Sequence, residues 1–473
     1  MASVGLLGLS VVTTYVGCSS SGDGGDGRGG AGGENSGGSA GETSGGGAGG
    51  ASVAGSSAGG TSAGGTTASG GTSSNGGSTC TSTYVPGPAA CQMSAEWIGK
   101  IAKPSPNVSV GKPVKGSAGT ATLELAVDGK YHSGNGALLT PGSTNATDAA
   151  AWAPGWISIN VGSGPSKLLL TWLETGYNEF NKPASAPAAY DILTSSDSTD
   201  GQDGSWTSIS AVSGEVAEPN NLYRGRSHVI DFTGKSWVRF LVTKAPATGT
   251  GLFKAVRVDE ISVYDISNAT AGVRDTWLIM GDSITKMSFE RSGGDKDFDQ
   301  LNHTARSAFF PAVIGAGIGG EFSKDAVTHA TEWLSKFEGL DFVTFAYGTN
   351  DSWGNKSPTA SGFETNVRSF IDVVKKAGKT PVLVRAPFSG QAKTAIADYN
   401  AIIQSLTDEF KLPCGPDLYT WFAEHQCPTG DPAIDQYNDY TTANGALVHP
   451  SDAGKRSINR LYSEALLPLY PTP

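Results

Sequence analysis

Thr276-Trp277-Leu278-Ile279-Met280-Gly281-Asp282-Ser283 is the stretch that decides the reading of this chain. Its apolar run TWLIM reads as a buried strand, and Gly-Asp-Ser ends it. Downstream, strand and helix patterns alternate. SKDAVTHATEWLSKF (323–337) has helical spacing, and DFVTFAYG (341–348) reads as a strand. SGFETNVRSFIDVVKKAG (361–378) reads as a helix, with Ser361 as N-cap, Glu364 completing a capping box and Gly378 at the end. TPVLVRAPF (380–388) is a further strand. KTAIADYNAIIQSLTDEF (393–410) and SDAGKRSINRLYSEALL (451–467) are further helices. Such alternation implies a mostly parallel sheet, with chemistry at the C-terminal ends of its strands.

Ser283 therefore stands where a helix should begin. Its own N–H lies at that helix start, which favours an oxyanion. Three further blocks follow in order: Gly319-Gly320 after the apolar run PAVI, Gly348-Thr349-Asn350-Asp351 after the next strand, and His449-Pro450 before the last helix. Together with Gly281-Asp282-Ser283, these resemble the four sequence blocks of the SGNH (GDSL-like) esterase family. The resemblance covers residues 274–473 and implies a flavodoxin-like α/β domain. It also implies Ser283 as nucleophile, His449 as general base, and an oxyanion hole built from the Ser283 N–H, the Gly320 N–H and the Asn350 side chain. A serine of ordinary pKa needs such a base to take its proton. No metal or organic cofactor is implied.

One departure stands out. The family places Asp three residues before the His, and here that position is Ala446. Two arrangements stay open: a backbone carbonyl orients His449, or one of Asp431, Asp435, Asp439 and Asp452 does. A third reading is an impaired hydrolase. The other His residues, among them His132, His228, His303, His329 and His425, match no motif and read as surface or structural residues. Two lookalikes fail on context. Gly315-Ala316-Gly317-Ile318-Gly319-Gly320 spells GxGxxG, but the next strand ends in Gly348-Thr349-Asn350 rather than an acid. Ser283-Ile284-Thr285-Lys286 spells SxxK without KTG or SDN partners.

Residues 92 to about 269 read differently. GWISINVG, KLLLTWLE, AAYDILTSS, SHVIDF, SWVRFLVTK and AVRVDEISVYDI are short apolar or alternating runs, separated by turn-rich pieces such as SSDSTDGQDGSW. An all-β jelly-roll sandwich is expected. Asp128-Gly129, Trp156 to Gly162, Tyr190 to Ser196, Ser205-Trp206, Trp237 to Phe240 and Val258 to Tyr264 resemble, in order, the strands of the discoidin-like, galactose-binding-type jelly roll. Modules of that kind often bind sugars through loops. Trp152, Trp156 and Trp206 are candidate stacking platforms, with core or rim packing as the plainer reading.

The first residues carry a different message. Val4 to Val16 is apolar, too short to span a bilayer, and ends at Gly17-Cys18. Tyr15-Val16-Gly17-Cys18 resembles a bacterial lipoprotein cleavage box, although Tyr15 replaces the usual Leu and no Lys or Arg precedes the run. That implies a signal peptide over 1–17 and a lipidated Cys18. Ser19 after it points to export to the outer membrane or cell surface. Residues 19 to 79 are almost entirely Gly, Ser, Ala and Thr, with no apolar surface to offset ordering entropy, and read as a tether. Of five Cys, the remaining four form two close pairs in sequence, Cys80/Cys91 and Cys414/Cys427, both candidate disulfides in an oxidising compartment. A net charge of −11 disfavours nucleic acid.

The expected organisation is thus 1–17 signal, 18–79 tether, 80–269 β-sandwich with a candidate sugar site, and 270–473 hydrolase. The expected activity is an exported serine esterase acting on O-acetyl groups of a polysaccharide. Its alternatives are a lipase or general carboxylesterase, and a surface carbohydrate-binding or adhesion protein with an impaired hydrolase domain. The oligomeric state is not readable.

Overall fold

The computed structural model describes residues 87, 89–101, 107–118, 120–129, 136–140, 154–174, 187–213, 225–244, 256–268, 274–289, 312–352, 358–388, 395–425, 449–450 and 452–471. All lie in one compact unit, Gly76–Pro473. Cys18, Cys80, Cys427, Trp152 and the tether fall outside the described residues.

Nine strands precede residue 270 among the described residues: β1 (Val114–Gly116), β2 (Ala137–Thr140), β3 (Gly155–Asn160), β4 (Lys167–Glu174), β5 (Ala189–Ser195), β6 (Thr207–Ser213), β7 (Gly225–Asp231), β8 (Trp237–Lys244) and β9 (Val256–Asp265). They form two antiparallel sheets, ordered β1-β3-β8-β5-β6 and β2-β9-β4-β7. The sheets face each other through large aromatic side chains. Trp172 on β4 meets Tyr190 on β5 edge-on at 5.4 Å and Phe240 on β8 at 5.6 Å. Each apolar strand alternation thus points one row of side chains into the space between the sheets.

Strands β10 (Thr276–Gly281), β11 (Ala312–Gly317), β12 (Phe342–Phe345), β13 (Thr380–Arg385) and β14 (Cys414–Asp417) form a third, wholly parallel sheet, ordered β11-β10-β12-β13-β14. That order is the flavodoxin-like one, whose switch point lies between its first and third strands, here β10 and β12. The helices are α1 (Ser283–Phe289), α2 (Ser323–Trp333), α3 (Ala360–Lys376), α4 (Ala395–Glu409), α5 (Leu418–Glu424) and α6 (Asp452–Leu466). Among the described residues no helix is long and apolar enough to cross a membrane.

One local expectation is corrected. The N-cap of α3 is Thr359, whose side chain accepts from the Gly362 N–H, and Ser361 lies inside the first turn. Glu364 reaches forward one turn to Arg368 at 2.8 Å instead of back to a cap. Both residues suit an N-cap, and Thr359 is the one with extended backbone, φ −63° and ψ 163°.

The β-sheets and the parallel sheet share one core. A single buried cluster runs from Trp172, Tyr190 and Tyr264 to Leu278, Met280, Phe345 and Phe363. Strand β7 is an edge strand, and the segment after α2 covers it. Ser227 bridges Phe337 in parallel, Ser227 Oγ donates to the Glu338 carbonyl at 2.8 Å, and the Val229 N–H donates to a Glu338 carboxylate oxygen. Covering an edge in this way removes a template for unwanted pairing.

Residues 89–101 form a strap against the parallel sheet, beginning beside its edge strand β14. The Trp97 indole donates to the Lys411 carbonyl at 2.8 Å, and the Gly99 and Ile101 N–H groups donate to the carbonyls of Pro468 and Leu469. Trp97 and Ile101 pack in one cluster with Trp277, Ile279 and Phe342. A boundary at residue 80 groups this strap with the sandwich, whereas these contacts lie with the parallel sheet.

The strap also corrects the disulfide pairing. Cys91 is bonded to Cys414, 323 residues away, not to Cys80, and Cys414 is therefore not paired with Cys427. Closeness in sequence misled, because the strap lays Cys91 beside β14 with the two Cα atoms 5.8 Å apart, inside bridging range. On the chain-entropy model a loop of this length is worth on the order of 5 kcal/mol. Cys91→Ser should therefore lower the free energy of unfolding in urea by several kcal/mol, to about the value for the reduced wild-type protein. An unchanged urea midpoint would show that the strap is held by packing alone.

Candidate active site

Strand β10 is buried along its whole length and delivers Gly281-Asp282-Ser283 to its C-terminal end. There the chain turns at once into α1. The Asp282 carboxylate accepts from the Ile284 N–H at 2.9 Å, and the Lys286 N–H donates to the Asp282 carbonyl. On β11, a Cβ on Gly317 would stand inside contact distance of the Lys286 backbone, so only glycine lets strand and helix approach this closely. That packing need accounts for one glycine of the GxGxxG string.

Ser283 is the first residue of α1 and is 8 % exposed. Its Oγ lies 3.0 Å from Nε2 of His449. The two are 166 positions apart in sequence, and His449 sits just ahead of α6. A serine hydroxyl in hydrogen-bond contact with an imidazole is the arrangement that allows proton transfer to the ring. Ala446, Asp431, Asp435 and Asp439 lie outside the described residues, as does the Asp452 side chain.

The neighbouring strands bring up the other two blocks. β11 leads into Gly319-Gly320, where Gly320 is exposed and has φ +80°, a conformation costly for other residues. β12 leads into a short turn, Asn350–Ser352. Since β11 and β12 flank β10, their following loops meet at the same end of the sheet. Asn350 joins them: its Nδ2 donates to the Glu321 carbonyl at 2.8 Å. Asp351 does so as well, from below. Its carboxylate accepts from the Ser323 N–H and from Ser323 Oγ, and the Asn366 side chain donates to that same Oγ. Asp351 thus caps α2 from the next strand's loop.

A cluster that no sequence motif announced stands behind this wall. Glu321 Oε1 is 2.5 Å from His329 Nε2, and the Tyr347 hydroxyl donates to Glu321 Oε2 at 3.4 Å. The His329 ring stacks on Trp333 at 4.3 Å. The signal available was positional: Glu321 directly follows Gly320, and His329 lies on the helix that Gly320 leads into.

Burial governs the electrostatics. It pushes the Asp282 carboxyl up to about 7, the Ile284 N–H offsets part of this, and the charges of Asp351 and Glu321 add to it. Burial also raises Glu321, against the hydrogen bond from His329. Burial pulls His329 down, but the hydrogen bond and charge of Glu321 outweigh it and leave the ring above its ordinary value. Asp351 is raised by burial despite its Ser323 donors. Among the described residues no group of His, Cys, Asp and Glu is arranged to hold a metal ion.

The other described histidines have structural partners. His228 lies between Tyr190 and Ser210 inside the sandwich, and His425 meets the Trp421 carbonyl. Trp156 and Trp206 hold one guanidinium between them, with Arg239 at 4.0 and 3.6 Å from their ring centres.

Residues 279–456 match the model of the GDSL-like Lipase/Acylhydrolase family. Similar solved structures include Axe2, an acetylxylan esterase from Geobacillus stearothermophilus, 22 % identical over 40 % of this chain and 93 % of its own, with a TM-score of 0.34. A lipase/acylhydrolase from Enterococcus faecalis is 22 % identical over 42 % of this chain and 98 % of its own, with a TM-score of 0.33. A Bacillus subtilis protein is 15 % identical over 66 % of this chain and 80 % of its own, with a TM-score of 0.38. No curated protein matches the chain. The segment from residue 279 to residue 456 is thus similar to the GDSL-like acylhydrolases.

Proposed function

We propose that this protein is an exported serine esterase that removes O-acetyl groups from a polysaccharide. The observation that carries the esterase reading is the 3.0 Å contact between Ser283 Oγ and His449 Nε2 at the end of β10. In this reading His449 takes the Ser283 proton as Oγ attacks the ester carbonyl. The carbonyl π pair moves to oxygen, giving a tetrahedral oxyanion. The Ser283 and Gly320 N–H groups and Asn350 Nδ2 donate to it. Asn350 Nδ2 carries two N–H bonds, and the Glu321 carbonyl takes one, leaving the second for this role. The oxyanion pair then re-forms the carbonyl, the C–O bond to the sugar oxygen breaks, and His449 gives its proton to that oxygen, which leaves as the sugar hydroxyl. Water, deprotonated by the same histidine, then adds to the acyl carbonyl; the C–Oγ bond breaks, acetate leaves, and His449 returns the proton to Ser283 Oγ.

The polysaccharide assignment draws on the export reading, with signal 1–17, lipidated Cys18 and tether 19–79, and on the joining of a β-sandwich to the hydrolase in one chain. Trp156 and Trp206 do not enter it, since each ring already stacks on Arg239.

A serine-reactive phosphonate should label the wild-type protein and not Ser283→Ala; an unlabelled wild type would mean an impaired hydrolase. His449→Ala should abolish turnover of p-nitrophenyl acetate, and Asn350→Ala should lower kcat by roughly 10²-fold or more. Near-wild-type rates in either would remove that residue from the mechanism. Acetate release from acetylated xylan, measured beside hydrolysis of long-chain lipid esters, tests the substrate class. Activity on the lipid esters alone would assign a lipase instead.

Asp282 adds a pH dependence. Its folded-state carboxyl is raised to about 7, so its protonated form favours the fold. That contribution is complete below the unfolded carboxyl range, about pH 4, and is lost as pH rises through 7. Asp282→Asn keeps an oxygen to accept from Ile284 while removing the charge. Its melting temperature relative to wild type should therefore be higher at pH 8 than at pH 4.5. Parallel melting profiles for the two proteins would show that Asp282 does not set this dependence.

A further inference from the structure

We propose that Glu321 is a positioning residue for the oxyanion-stabilising groups, holding them through its contacts with His329 and Tyr347; this rests on the esterase reading above. Glu321 is unusual in touching both sides of the site. Its backbone follows Gly320 directly, so any displacement of Glu321 displaces the Gly320 N–H. Its carbonyl accepts from Asn350 Nδ2, so the same displacement turns the Asn350 amide. The orientation of that amide matters: with Nδ2 committed to a carbonyl, the side chain must present its donor edge rather than its oxygen.

What fixes Glu321 is its side chain. The carboxylate is only 12 % exposed and is gripped by groups from two elements. His329 comes from the middle of α2, where its ring lies against the buried Trp333. Tyr347 comes from just after β12 and is buried. The loop after β11 is thereby bolted to the helix behind it and to the strand beside it. A largely buried carboxylate is expensive to keep unless its partners make it worthwhile. Nothing about the backbone at this position requires one, because the carbonyl that meets Asn350 is available from any residue. The fold spends a buried acid here, and what that acid immobilises is the segment next to Gly320 and Asn350.

Glu321→Ala and Glu321→Gln separate this role from a general structural one. Gln retains a group that hydrogen-bonds both His329 and Tyr347, so it should keep kcat for p-nitrophenyl acetate within about threefold of wild type. Ala should lower kcat on the order of 10- to 100-fold, as expected when donors move by a fraction of an ångström to an ångström, with KM changed by less than about twofold. Combining Glu321→Ala with Asn350→Ala should cost less than the product of the two single effects, because both act on one amide. Wild-type kcat in Glu321→Ala would overturn the proposal. So would a loss in Glu321→Gln equal to that in Ala, tracking a fall in melting temperature in both. Undiminished turnover in Ser283→Ala would instead overturn the esterase reading, and this proposal with it.

Discussion

Strand β10 is hydrogen-bonded on both sides and buried from Thr276 to Gly281, and this constraint organises the rest of the molecule. A central strand in a parallel sheet has both neighbours ending at the same edge. The turn after β10 carries Ser283, the turn after β11 carries Gly320, and the turn after β12 carries Asn350. No loop needs to be long to bring them together. The register does it, and short contacts such as the Asn350–Glu321 and Ser323–Asp351 hydrogen bonds only complete the alignment. The start of the sheet is pinned as well, by Arg274 on Asp341, which ties the approach to β10 to the approach to β12.

The parallel sheet was legible in the sequence because its signals are local. TWLIM, DFVTFAYG and TPVLVRAPF are short apolar runs, and amphipathic helices separate them. The positions of Ser283 and His449 were legible for the same reason, since each stands at an element boundary that the pattern marks, while their 3.0 Å contact was not. The contacts that cross the fold were not. Cys91 finds Cys414 rather than a neighbour in sequence because a strap, not a local loop, carries it. Glu321 and His329 look like ordinary residues of a turn and a helix, and their pairing depends on the turn folding back over α2. Even at the start of α3 two residues suit the cap, and it is Thr359 rather than Ser361 that takes it.

The all-β part illustrates a different limit. Its strands were readable from alternation, but its relation to the parallel sheet was not. A sequence reading treats it as a separable module attached to a hydrolase. The structure instead gives the two parts a common core, and the edge of β7 is finished by residues that follow α2. The β-sheets therefore support the helix that bears His329, which in turn touches Glu321.

The strap has a consequence for how the molecule is made. Its hydrogen-bond partners include the carbonyls of Pro468 and Leu469, and its cysteine is bonded across 323 positions. A chain leaving the ribosome cannot finish the sheet edge when its strap emerges, because the surface that receives it does not yet exist. Such long-range closure slows folding and prolongs the life of unfinished intermediates. The strap can therefore dock only after the C-terminal residues that receive it have been made. The bond between residues 91 and 414 can close only after that docking, so the covalent link is the last feature of this edge to form.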